Sequence, residues 1–191
     1  MSSNTEAVAG SSTLPLAGSW AVDPVHSAVE FAVTHLMISK VRGRFSDITG
    51  TVVSDGTPEG SRIDVQVGAA SIDTHDSGRD KHLRSADFFD VEKYPHLTFV
   101  STKIASKSGD EFHVAGDLTI HGVTKAIEFD VTSEGTGGDP WGGTRAGFSS
   151  SFTVDRRDFG LVWNQALETG GVMVSNSIKV TLDIQLTRKE S

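Results

Sequence analysis

Between residues 178 and 186 the chain repeats with a period of two. Ile178, Val180, Leu182, Ile184 and Leu186 alternate with Lys179, Thr181, Asp183 and Gln185. Successive side chains of a strand point to opposite faces, so this pattern makes one aliphatic face and one polar face. The same rhythm recurs. Val29, Phe31, Val33 and His35 share a face against Glu30 and Thr34. Ile63, Val65, Val67 and Ala69 form another set, and Phe112, Val114, Gly116, Leu118 and Ile120 a third. Further runs lie at 44–53, 97–102, 127–131 and 148–154. Turn signals at 55–60, 108–110 and 121–122 separate them, and Gly43 and Gly50 mark points of bulging or close backbone approach. The outcome is eight or nine strand candidates at hairpin spacing, with at most two short helices. Such alternation implies antiparallel strands wet on one face. Without long crossover helices, the architectures left are a sandwich or a closed barrel. A barrel removes exposed edges and, at about eight strands, can enclose a small ligand.

One stretch breaks the rhythm. Residues 74–98 carry three of the seven His, His75, His82 and His96, with Arg79, Arg84, Phe88, Phe89 and Tyr94. The segment reads as a short charged helical connection with Ser and Asp at capping positions. Its plain role is a solvated helix with internal ion pairs, Asp80 with Arg84 at i, i+4. The Phe pair that follows predicts a plug or roof at one end of the core.

Composition excludes several functions. The 191 residues suffice for one well-buried domain, and the chain has no Cys, which removes thiol catalysis, disulfides and Cys-ligated metals. The net charge of -8 without a basic run disfavours nucleic acid and anionic membrane surfaces. His75 and His82 stand seven apart and His113 and His121 eight apart, neither a compact ligand pair, so no metal is expected. There is no nucleophile elbow around a Ser, and no catalytic residue is assigned. The Gly-rich run 134–144, with Trp141, lacks the Lys-Ser/Thr of a phosphate cradle and reads as a hairpin loop.

Residues 1–17 are rich in Ser, Thr, Ala and Gly and read as a flexible N-terminal lead-in, with order beginning near Gly18. They lack a basic n-region and an apolar h-region, and no run approaches a membrane span. The chain therefore reads as cytoplasmic, without stable membrane insertion.

Taken together, several blocks make the sequence similar to the YceI-like family across nearly all of residues 18–188. They are Trp20–Ser27 (WAVDPVHS), His35–Phe45 (HLMISKVRGRF), 71–74, and above all RDKHLRSADFFDV at 79–91 with Tyr94-Pro95. GDLTIHGVTK at 116–125 and RDFGL at 157–161 continue the match. The resemblance implies a lipocalin-like antiparallel barrel of eight strands over 18–191, around an elongated tunnel for polyisoprenoid or fatty-acyl-like chains. It implies a bound lipid of that kind rather than a cofactor, and a homodimer. Many members carry a signal peptide; this chain shows none.

The reading that follows is a non-catalytic carrier or store of a long apolar chain. Strand parity and size select Phe31, Val33, His35, Phe45, Phe99, Phe112, Phe148, Phe152 and Trp163 as candidate wall residues. Arg79, His82 and Phe89 are candidate mouth residues. Two other classes compete: an enzyme or redox partner acting on an isoprenoid quinone, and a stress-response interaction module whose barrel is filled by its own side chains.

Overall fold

The structure, a computed structural model, describes residues 17–190. The lead-in assigned to residues 1–17 lies, apart from Ala17, outside the described residues, as does Ser191. Eleven strand segments follow: β1 (Gly18–Val22), β2 (Ala28–His35), β3 (Ser39–Phe45), β4 (Ile48–Ser54), β5 (Arg62–Gly68), β6 (Ile72–Asp73), β7 (His96–Ser108), β8 (Glu111–Ile120), β9 (Val123–Gly138), β10 (Thr144–Asp155) and β11 (Val174–Arg188). One helix, α1 (Ser77–Arg84), interrupts them, with 3-10 turns at Ala69–Ser71 and Arg156–Phe159.

The eleven segments make eight strands. β1 and β2 are one strand broken at residues 23–27, since both pair with β11. The break is stitched down: Gln185 O accepts from Asp23 N and Ser27 Oγ, and Gln185 N donates back to Ser27 Oγ. β3 and β4 are likewise one kinked strand, and the Ser71 hydroxyl accepts both free N–H groups at the kink, from Ser46 and Asp47. β5 and β6 are halves of a third. Each bent strand then pairs antiparallel with the next, through β7, β8, β9, β10 and β11, and β11 closes on β1. An all-antiparallel closed barrel of eight strands results. Residues 39–43, outside the run expected at 44–53, join β3 because they pair with Val33–His35 and Phe31–Ala32 across the hairpin.

Two expectations require correction. The glycine-rich run 134–144 is mostly strand, not loop: β9 runs to Gly138, and the turn is only residues 139–143. Pairing with β10 supplies the backbone partners that composition does not advertise. Within it, Asp139 accepts from Trp141 N, Gly143 N and Arg145. Secondly, Asp80 and Arg84 do not bind one another. Asp80 is buried and its Oδ1 accepts from Thr74 N at 3.0 Å and Thr74 Oγ1 at 2.6 Å. Arg84 donates to the carbonyls of Ala70 and Ile72. The helix, capped by Asp76 on Arg79 N, is thus fastened to the end of the third strand instead of standing in solvent.

Because the strands run up and down in order, their connections fall at two ends. The helical end holds residues 36–38, 74–95, 121–122 and 156–173. The turn end holds 55–61, 109–110 and 139–143.

Candidate functional site

Inward parity builds a cavity of about 340 Å³ inside the barrel. Ile178, Val180, Leu182, Ile184 and Leu186 line it, as do Phe112, Val114, Leu118 and Ile120. The few polar positions on the wall include Glu30, Ser61, Thr98, Ser149, Ser150 and Arg156. Its size and apolar character match a small-molecule site rather than a packed core. The lumen is not filled by its own side chains.

Aromatic rings order the wall in two groups. Phe45 stands between Phe31 and Phe89, with centroids 5.8 Å away on both sides. Across the lumen Phe129 meets Phe99 at 5.3 Å and stacks on Phe152 at 4.4 Å and 17°. Offset and edge contacts of this kind hold rings in place beyond their area burial. The ring positions of Phe31 and Phe99 depend on small neighbours: a β-carbon at Gly43 would strike Phe31, and one at Gly116 would strike Phe99.

At the helical end, Leu83, Phe88 and Phe89 from the charged connection roof the cavity, with Phe159 and Leu161 beside them. A second aromatic layer lies behind. Trp163 packs on Phe88 at 5.2 Å and on His82 at 4.9 Å, and His82 meets Phe88 at 5.1 Å. His82 Nε2 is in turn 2.8 Å from Asp87 Oδ2.

The candidate residues therefore divide. Phe31, Val33, Phe45, Phe99, Phe112, Phe148, Phe152 and Phe89 line the cavity. His35 does not: it continues the inward face of β2 one step past Val33, opposite Ser39, and ends at the rim. Trp163 is in the second aromatic layer, packed on Phe88 and His82 rather than on the cavity. His82 shares that layer. Arg79 turns away from the mouth, donating from Nε to Thr74 Oγ1 at 2.7 Å and from Nη2 to Thr74 O at 2.8 Å. Phe129, in the run 127–131 but not among the candidates, also lines the cavity, on the face of Ile127 and Val131.

Arg156 carries no sequence signal that separates it from Arg157. It is 5% exposed, and its stem joins the cavity wall. Its guanidinium donates to the carbonyls of Leu161 (2.6 Å), Trp163 (2.8 Å) and Ser175 (3.0 Å), and to Asn176 Oδ1 (3.3 Å). Burial pushes its pKa down, opposed by the nearby Asp155 carboxylate. Its role is to tie the loop after β10 across the end of the barrel. Asp155, by contrast, belongs to Arg157, whose side chain and N–H hold it down to about 2.

Outside the lumen, Asp23 joins His26 at 2.9 Å and Arg145 at 2.7 Å over the break in the first strand. His113 lies between Asp130 and Glu128 on the outer face, and the Asp130 hydrogen bond pushes its pKa up. Among the described residues, no three His, Asp or Glu side chains converge as metal ligands. No helix among them is long and apolar enough to cross a membrane.

Comparison with known proteins fits this geometry. The profile of the YceI-like domain matches residues 20–186. A UPF0312 protein of Pseudomonas putida strain W619 is 45% identical over 137 residues, 71% of either chain. The YCEI protein of Campylobacter jejuni is 32% identical with a TM-score of 0.71, over 82% of this chain and 90% of that one. A polyisoprenoid binding domain from Saccharophagus degradans has a TM-score of 0.68 over 92% of this chain and all of its own, at 15% identity, a likeness of fold alone. With a family profile covering nearly every strand of the barrel and relatives this similar, the chain belongs to the YceI-like family.

Proposed function

We propose that this protein binds the apolar chain of an isoprenoid or similar lipid inside the barrel, as a carrier or store, without chemistry on the ligand. The observation that carries the reading is the cavity of about 340 Å³ with its nearly unbroken wall of Phe, Val, Leu and Ile. Each methylene buried there contributes on the order of 0.8 kcal/mol, so a few isoprene units are held without any charged contact. The wall is already formed, which limits the ordering cost on binding. A structural neighbour named for polyisoprenoid binding has the same fold, and that supports the reading.

The test begins with a solvent extract of the purified protein, analysed by mass for a co-purifying isoprenoid or fatty-acyl-like molecule. Delipidated protein is then offered a C30–C40 isoprenoid. A bound complex in native mass spectrometry with a raised Tm is the expected result. Neither adduct nor shift would sink the proposal. Turnover of a prenylated quinone, abolished by His82→Ala, would replace it with an enzymatic reading.

A further inference from the structure

The hairpin between β2 and β3 ends in an apolar tip turned to solvent. Leu36, Met37 and Ile38 join the strands, and His35 O accepts from Ile38 N at 3.2 Å. Leu36 and Met37 both take left-handed backbone, with φ of 52° and 64°. Hairpin turns reserve such positions for Gly, Asn and Asp, because most side chains are strained there. Leu36 N donates to Met173 O at 2.8 Å, and a β-carbon at Gly171 would stand 3.2 Å from Met37 Cγ, so the tip is braced on the loop after β10. The bracing leaves Met37 60% and Ile38 86% exposed, with Val162 of that loop 66% exposed. Apolar residues scattered over a surface are ordinary. A strained turn that projects two of them side by side points to a use.

Strand parity gathers charge beside the tip. Phe45 lines the cavity and Gly43 is buried, so Lys40, Arg42 and Arg44 share the outer face of β3, all exposed. Register adds Lys179: Ala32 pairs with Arg42 on one side and with Lys179 on the other. Arg44 is offset by Asp73 at 3.6 Å and by Glu30, its cross-strand partner. Lys40, Arg42 and Lys179 make no ion pair among the described residues. Residues 160–173 bring one carboxylate, Glu168, and no cation. The net charge of -8 therefore describes the chain and not this face. Free cations within a few residues of an exposed apolar tip suit a surface with anionic charge over hydrocarbon. A second copy of the chain, docked by the same face, would set like charges against each other.

We propose that the β2–β3 hairpin docks this protein reversibly on an anionic lipid bilayer, with Met37 and Ile38 entering the head-group region and Lys40, Arg42 and Lys179 facing the lipid charges. The tip stands at the helical end, so docking turns the roof of Phe88 and Trp163 towards the membrane. This goes beyond the reading of the lumen and does not rest on it.

The chain has no Cys, so a single introduced one reports its own surroundings. Ile38→Cys and, at the turn end, Trp141→Cys are labelled with acrylodan. Vesicles are of phosphatidylcholine alone or with about a third phosphatidylglycerol, at neutral pH and low salt. The unlabelled full chain co-sediments with the anionic vesicles at least about tenfold more tightly, since each cation near such a surface adds about fivefold, and high salt closes the gap. The label at position 38 shifts to the blue on anionic vesicles, and the label at 141 does not. Lys40→Glu/Arg42→Glu removes the preference. Met37→Asn/Ile38→Ser, in which Asn suits the left-handed turn, weakens binding several-fold without lowering the Tm. Equal binding to both vesicles, no binding, or a shift at 141 in place of 38 overturns the proposal. A loss on charge reversal alone assigns the face to polyanions in general and also overturns it. So does a concentration-dependent shift at 38 without vesicles, which assigns the tip to a second copy of the chain. Uptake of N-phenyl-1-naphthylamine by the lumen, measured without vesicles, keeps the two readings apart: uptake without vesicle binding overturns the docking alone, and vesicle binding without uptake overturns the lipid reading alone.

Discussion

Phe31 lies across Gly43, its cross-strand partner, so closely that a β-carbon at position 43 would overlap the ring, with the Thr74 methyl on its other side. The glycine is what lets a large ring lie against the wall and leave the lumen open. Gly43→Ala drives Phe31 from its position or strains β3, and overpacking of this kind costs about 1–3 kcal/mol. Urea unfolding measures that loss. Phe31→Leu in the same chain recovers part of it, so the double-mutant cycle shows coupling. Strict additivity would mean that the two residues do not constrain each other.

Trp163 is the outer and Phe88 the inner layer of the roof at the helical end. Trp163→Ala removes the outer layer and leaves the cavity wall in place. Ligand dissociation, followed by stopped-flow displacement of a bound fluorescent lipid, becomes several-fold faster with a smaller change in equilibrium affinity. An unchanged off-rate would show that ligands leave by another route.

Asp23 determines part of the acid sensitivity. Burial alone would raise its pKa, but hydrogen bonds from His26, Arg145 and Val25 N–H outweigh it and bring the carboxyl down to about 2. An unfolded Asp titrates near 4, so at intermediate pH the folded chain binds fewer protons. The stabilisation is complete above about pH 4 and is lost as pH falls towards 2. It amounts to at most about 2 kcal/mol. Asp155, pushed down to about 2 by Arg157, titrates in the same window. Asp23→Asn therefore flattens, without abolishing, the fall of unfolding free energy between pH 4 and 2 in urea titrations.

Arg156→Met keeps the stem and removes the guanidinium. The carbonyls of Leu161, Trp163 and Ser175 lose their donor, at a cost of about 2–4 kcal/mol in chemical denaturation. Arg156→Lys does not restore the loss, because a single ammonium cannot span the carbonyls that a planar fork reaches.

Much of the barrel was legible in advance because parity is a local property. The run from Ile178 to Leu186 and the set from Phe112 to Ile120 each declared an inward face, and those faces became cavity wall. Phe88 and Phe89, read as a roof from their position after a polar helix, line its helical end. What failed were residues whose partners or surroundings lie outside their own helix or strand. His35 obeyed the parity of β2, but parity does not say where a cavity ends. Arg79 looked like a mouth cation until Thr74 took its Nε and Nη2 donors. Asp80 and Arg84 had ideal helical spacing, yet the barrel edge offered each a better partner.

The sequence by itself determined the strands, their inward faces, a helical interruption within 74–98 and the family, because alternation and ordered motifs are written along the chain. Only the tertiary structure decided that eleven segments close into eight strands, and that β11 seals the barrel against β1. It alone brought Arg156 to its carbonyls. The physical reason is common to all of these. Closure, and the satisfaction of buried polar groups, depend on which residues meet across the barrel, and strand register sets those meetings rather than spacing in sequence.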